Sequence, residues 1–226
     1  LRPGLGRTSL SDKRTDSQLE TAHEAYRQGN YAVAKKHYNP LALDGIPEAQ
    51  HSMGLLHRFG LGVKKDAQEA LRWFRVAADA GYPEAQNAVG LAYLAGNGIA
   101  QDTHTASRWF RKAADNGHIE GMFNLGSMYE RGIGVVQNYR RAARWLGSAA
   151  EQGHAKAQLR MSHLCEQGHG VEEDLPRAHM WANLAAALGA KDAPERRDAL
   201  TGALDGPGLA EAQREARTWW WENGPT

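Results

Sequence analysis

The chain has 226 residues, 42% of them apolar, and 27 basic against 26 acidic side chains leave a net charge of +1. No global field draws such a chain onto nucleic acid, and no apolar run is long enough for a membrane span. The single cysteine, Cys165, excludes an intramolecular disulfide. The first residue is Leu1 rather than methionine, and a removed signal peptide fits that start.

Residues 1–16 carry early Gly and Pro breakers without apolar periodicity, and the expectation is a flexible lead-in. An amphipathic helix is predicted over Ser17–Gln28. Gly29-Asn30 breaks it, and a second helix follows over Tyr31–Asp44, with an irregularity expected at Asn39-Pro40. From there a period of 36 residues governs the chain. Gly45, Gly81, Gly117, Gly153 and Gly189 stand at that interval, as do Trp73, Trp109, Trp145 and Trp181. Self-similarity at such a period marks a stacked repeat architecture.

Each unit reads as a helical hairpin. In 45–80, Pro47 and Glu48 suit a helix N-terminus, and Gly60 ends that helix. The loop Gly60-Leu61-Gly62-Val63 is expected to tuck Val63 back onto the core. Asp66 then caps the second helix, with Glu69 completing a capping box. Asp102, Asn138 and Asp174 hold the same place in later units. The second helix carries the stripe Ala70, Trp73, Phe74, Ala77 and Ala78, in which the tryptophan is expected to fill the larger gap. Truncating a buried tryptophan costs about 3–5 kcal/mol. Beyond Gly189, one helix over 189–204, a turn at Asp205-Gly206-Pro207-Gly208 and a helix over Leu209–Glu222 complete about twelve helices and no strand. The organisation is therefore all-α: a lead-in (1–16), a first capping hairpin (17–44), four repeats (45–80, 81–116, 117–152, 153–188) and a final capping hairpin (189–226).

The segment Glu84-Ala85-Gln86, the following Gly90 and Tyr93, the Gly-x-Gly loop, the Trp-Phe pair and the Ala-Ala before the closing glycine resemble the Sel-one-like repeat (SLR) family. That family is a longer relative of the tetratricopeptide repeat. The resemblance covers roughly 45–193, and 17–44 is similar to the shorter degenerate unit that often precedes such arrays. It implies a right-handed α-solenoid acting as a scaffold or adaptor. Bacterial members are often exported and organise envelope, secretion or signalling complexes, which implies a periplasmic or otherwise exported protein, with the cytoplasm left open. One branch staples each unit with paired cysteines; those are missing here, so its penicillin-binding and immune properties are not carried over.

In tetratricopeptide-like arrays the first helix of each unit lines the concave surface. Its core positions here are Met53, Val89, Leu125 and Met161. The partner-binding candidates are His51, Arg58 and Phe59, then Asn87 and Leu94, then Phe123, Glu130 and Arg131, and finally Leu159, His163 and Glu166. They vary between units while the core does not, which suits an extended peptide or a helix laid lengthwise. The alternative is that part of this face is simply packed. Arg72, Arg108 and Arg144 form a second candidate surface, read either as an anion-binding ladder or as a solvated convex face. Trp219-Trp220-Trp221 cannot share one helical face. They read as an end-cap or as a docking or homodimer site.

Catalysis needs a nucleophile, base and stabiliser that converge, or a metal. Cys165 falls where other units place His57, Tyr93 and Tyr129, and reads as a buried structural thiol. His118 and His154 read as turn residues rather than metal ligands. No metal or cofactor motif occurs. The expectation is a non-catalytic scaffold without cofactor or metal that binds another protein or peptide and no nucleic acid. One alternative is an envelope module that binds glycan or lipid through the arginines and the terminal tryptophans. Another is an enzyme or metal-dependent protein whose pocket gathers His51, His57 and His163.

Overall fold

The computed structural model describes residues 10–224, with side chains from residue 14 onward. Among the described residues the chain is all-α, with twelve helices. It divides into two compact units, 1–102 and 103–226. Unit 1 contains α1 (Leu10–Arg27), α2 (Tyr31–Leu43), α3 (Pro47–Phe59), α4 (Ala67–Asp79) and α5 (Pro83–Ala95). Unit 2 contains α6 (Thr103–Asp115), α7 (Ile119–Arg131), α8 (Tyr139–Glu151), α9 (Ala155–Gln167), α10 (Leu175–Ala187), α11 (Ala193–Ala203) and α12 (Gly206–Asn223). Within each unit successive helices pack on one another, except at the end, where α12 returns to α10.

The repeat motifs act as joints. The glutamine of the Glu-Ala-Gln segment reaches back to the end of the preceding helix. Gln50 Nε2 donates to the Ala42 carbonyl (3.1 Å), Gln86 to Ala78 (3.2 Å) and Gln158 to Ala150 (3.1 Å). Each of those carbonyls also accepts from the amide of the closing glycine, Gly45, Gly81 or Gly153, so the side chain takes a second lone pair while linking neighbouring helices. Gly60 closes α3 in the left-handed conformation at φ 73°, a geometry that excludes most side chains. The second loop glycine has a different task. A Cβ on Gly98 would lie 2.3 Å from the Ala67 carbonyl oxygen, so only glycine lets this loop rest on the start of α4.

Side-chain caps begin α4, α8 and α10 as expected, but the Asp66 amide donates to the His57 carbonyl (2.9 Å) and Glu69 does not complete a capping box. Asp66 accepts from the amides of Gln68 and Glu69, Asn138 from Arg141 and Asp174 from Arg177. His118 and His154 are caps too, accepting through Nδ1 from the amides of Gly121 (2.9 Å) and Ala157 (3.0 Å). Val63 packs on the core of unit 1.

Four further expectations need correction. The first helix begins at Leu10, so 10–16 are helical rather than a flexible lead-in; residues 1–9 lie outside the described residues. Helix α2 runs unbroken through Pro40, and the Asp44 amide donates to the Pro40 carbonyl beyond it. The Asp205–Gly208 segment is no separate turn. Asp205 caps α12 by accepting from the Gly208 amide (2.8 Å), which makes Pro207 a first-turn proline. Lastly, Trp73, Trp109 and Trp145 are only half-buried, whereas Phe74, Phe110 and Leu146 beside them fill the core. Of the four period tryptophans, only Trp181 is buried.

Candidate protein-binding surface

The candidate residues on the first helices fall into three classes by what they touch. His51, Asn87, Phe123 and Leu159 share one repeat position, and at His51, Phe123 and Leu159 it packs on elements that follow within the same unit. The His51 ring lies 5.4 Å from that of Phe74 and 5.5 Å from that of Tyr82. Burial, reinforced by Glu84 and Glu48, pushes the Tyr82 hydroxyl up to about 12. Phe123 stacks on His154 at 4.5 Å, and Leu159 packs on a cluster of Ala185, Ala190 and Ala193. Asn87 is only 7% exposed, which corrects its expected place on an open face.

A second class bridges repeats through charge. Glu130 faces Arg160, with Nε to Oε2 at 3.5 Å, and Glu166 faces Arg196 at 2.7 Å. The pairs are equivalent, since each joins two first helices across thirty residues of sequence. The Arg196 rung is the better made. Its Nε donates to Ser162 Oγ (2.8 Å) and its Nη2 to the Ser162 carbonyl (3.2 Å) as well as to Glu166. His163 lies beside these rungs. Burial, then the charges of Arg196 and Arg160, hold its imidazole below the ordinary value against a weaker opposing pull from Glu166. Unit 2 adds one further link, from His154 Nε2 to Glu120 Oε2 at 3.0 Å. The hydrogen bond from His154 is the chief reason the Glu120 carboxyl titrates below the usual carboxylate range. Because His154 Nδ1 accepts from the backbone, Nε2 carries the proton donated to Glu120.

The third class remains accessible. Phe59 is 55% exposed, with the Arg58 guanidinium 5.3 Å from its ring centre. Arg131 is exposed, and Leu94 is half-buried. Sequence reasoning missed the counter-ions Arg160 and Arg196, although counting thirty residues onward from Glu130 and Glu166 finds both.

On the second helices, Arg72 pairs loosely with Glu69 at 3.5 Å, and Arg144 lies over the ring of Trp145 at 5.5 Å. Arg108 is exposed. The neighbouring Arg75 and Arg111 donate to the hydroxyls of Tyr93 and Tyr129, joining each second helix to the first helix that follows it. At the C-terminal end Trp219 is half-buried while Trp221 is 91% exposed.

Cys165 is buried, and desolvation pushes its thiol up to about 11, the opposite of an activated nucleophile. Among the described residues no three His, Cys, Asp or Glu side chains are grouped to hold a metal, and no helix is long and apolar enough to cross a membrane.

The family model of the Sel1 repeat matches residues 47–82, 83–118, 119–154 and 155–189. A Sel1 repeat protein from Oxalobacter formigenes is 34% identical, with a TM-score of 0.72 over 77% of this chain and 72% of that one. A protective antigen of uropathogenic Escherichia coli with an SLR fold is 30% identical, with a TM-score of 0.79. That likeness covers 94% of this chain, which spans about half (46%) of the antigen's length. An immunity protein from Pseudomonas aeruginosa, 20% identical with a TM-score of 0.55 over 97% of this chain and 83% of its own, shares the fold alone. No curated protein matches the chain.

Proposed function

Since the chain belongs to the Sel1 repeat family, we propose that it is a non-catalytic scaffold that binds a partner protein or peptide along the exposed faces of its first helices. One observation carries this reading. The buried frame repeats from hairpin to hairpin, as in Met53, Val89, Leu125 and Met161, while accessible side chains such as Phe59 and Arg131 change at equivalent positions. A rigid frame that displays variable side chains loses little entropy on binding. The buried thiol at Cys165 adds support, because the one cysteine is unsuited to nucleophilic chemistry. The setting we assign is assembly or regulation of a bacterial envelope, secretion or signalling complex by an exported protein, on the family's common usage; fractionation of the source cell tests it.

Affinity capture from that cell, with wild type beside Phe59→Ala/Arg131→Glu and the second-helix variant Arg72→Glu, tests the binding face. A partner lost with the first pair and retained with Arg72→Glu supports the reading. Partners that survive the first-helix changes refute it.

The exposure of Trp221 favours a further reading, a docking or self-association site at the C-terminal end. Light scattering on wild type and Trp221→Ser tests it: a dimer that becomes a monomer is the expected result. Binding of glycan or lipid through Arg72, Arg108, Arg144 and these tryptophans has less support, because Arg144 already lies over Trp145 and Arg72 faces Glu69.

A further inference from the structure

Two repeat positions that form an ion pair in unit 2 form an open cleft in unit 1. The rung positions are Glu130 and Arg160, then Glu166 and Arg196. In unit 1 the equivalent residues are Arg58 and Ala88. Arg58 makes no ion pair among the described residues, and its guanidinium lies over Phe59. A second substitution compounds the first. Leu56, Met128 and Leu164 fill their shared position with a large buried side chain, but α5 has Ala92 there.

The two alanines line a cleft of about 200 Å³. Buried Ala70, Leu71 and Phe74 give it an apolar wall, and Arg58, Phe59 and Lys65 border it on the more accessible side. An aliphatic cavity of about 150 Å³ accepts a molecule as large as benzene, so a branched aliphatic side chain fits. Two cations beside an apolar hollow select a ligand that is apolar at one end and anionic at the other.

We propose that this cleft binds a segment of a partner protein presenting a leucine-sized side chain next to an acidic residue. The aliphatic group sits against Ala88 and Ala92, in the role Leu164 plays in unit 2. The carboxylate meets Arg58 and Lys65, forming from outside the ion pair that unit 2 makes internally. The inference rests on the scaffold reading in requiring a polypeptide ligand, and it adds the chemistry of that ligand.

The test is an NMR titration of the full chain, ¹⁵N-labelled, with acetyl-Leu-Glu-amide, acetyl-Leu-Gln-amide and hexanoate. Acetyl-Leu-Glu-amide is expected to shift the amides of Phe59, Gly60, Ala88, Ala92 and Asn97. Loss of its carboxylate in the glutamine peptide is expected to weaken binding about tenfold or more, as fits the loss of a charge-assisted contact. Ala92→Leu, which restores the filler, and Arg58→Glu/Ala88→Arg, which copies the unit 2 rung, should each weaken the acidic peptide at least about tenfold. The double variant keeps the test decisive if Ala92→Leu misfolds, since its pair already exists on this backbone in unit 2.

Equal binding of the Glu and Gln peptides, shifts confined to other amides, or tighter binding of hexanoate would each overturn the proposal, the last by pointing to a lipid-like ligand. Captured partners that survive Arg58→Glu/Ala88→Arg but are lost with Arg131→Glu would overturn the cleft and leave the scaffold reading standing.

Discussion

The contrast between α3–α5 in unit 1 and α7–α9 in unit 2 shows how one backbone plan yields two surfaces. At equivalent positions unit 2 has Glu130, Arg160 and Leu164, and unit 1 has Arg58, Ala88 and Ala92. The first set joins helices by charge and fills the space between them. The second leaves a cation without an ion pair beside an apolar cleft. The helices themselves do not differ, being thirteen residues long in each case. Surface character in a repeat of this kind is thus set by a few side chains on a constant frame.

The largest effect that separates the two regions should come from Leu164→Ala, which gives unit 2 the small residue of unit 1. Leu164 is 1% exposed, so its truncation is expected to cost about 2–5 kcal/mol. The reverse change, Ala92→Leu, places carbon where the cleft already has room, and cavity filling of this kind is neutral or stabilises by about 0.5–2 kcal/mol. Urea titrations of the two variants measure both numbers. Equal destabilisation by both would mean that the cleft is not the space a leucine lacks.

Much of this frame is legible in the sequence, because glycines, caps and small residues repeat where the backbone demands them. Gly60 and Asp66 could be placed from local chemistry alone, since a left-handed cap and an N-cap each depend on a few adjacent residues. The candidate surface was less legible because it depends on neighbours thirty residues away. Glu166 reads as a free surface acid until Arg196 is found against it. Asn87 and Phe123 read as variable and therefore displayed, yet Asn87 is buried and Phe123 stacks on His154 of the next hairpin. The tryptophans misled for a related reason. Periodic large residues mark a stripe, but the stripe's centre runs through Phe74 and Phe110, leaving Trp73 and Trp109 at its margin.

Arg196→Ala ranks next. It removes the hydrogen bonds to Ser162 Oγ, the Ser162 carbonyl and Glu166, and it leaves the buried Ser162 hydroxyl without its arginine donor. The expected loss is about 2–3 kcal/mol, and a double-mutant cycle with Glu166→Gln apportions it. Failure of the pair to couple would place the stability of this rung in Ser162 alone.

A smaller effect should follow from pH. Burial, with Arg196 and Arg160 adding to it, holds His163 below the ordinary imidazole value of 6.5, and burial with Arg197 does the same for His179. The folded unit keeps both rings neutral at pH values where the unfolded chain protonates them. Their contribution is therefore complete above about 6.5 and is lost as pH falls through the folded values. Hydrogen exchange should show α9 and α10 losing protection between pH 7.5 and pH 5, and His163→Gln should reduce that loss. An unchanged profile in the variant would assign the acid response to His179.

The smallest effect expected is that of Arg160→Ala, which copies Ala88 into unit 2. Its pair with Glu130 has the same sequence offset as the Arg196 rung but poorer contacts. The nearest approach is 3.5 Å, Glu130 Oε2 accepts no hydrogen bond, and the arginine is partly solvated. With the arginine 42% and the glutamate 14% exposed, a pair at that distance contributes about 1 kcal/mol. With Leu164 still in place, the substitution removes a charge without opening a cleft, so acetyl-Leu-Glu-amide should acquire no second site there. If Arg160→Ala destabilises as much as Arg196→Ala, the two rungs are equivalent in energy despite their contacts. Unit 1 would then have given up a full rung, rather than a weak one, at Arg58 and Ala88.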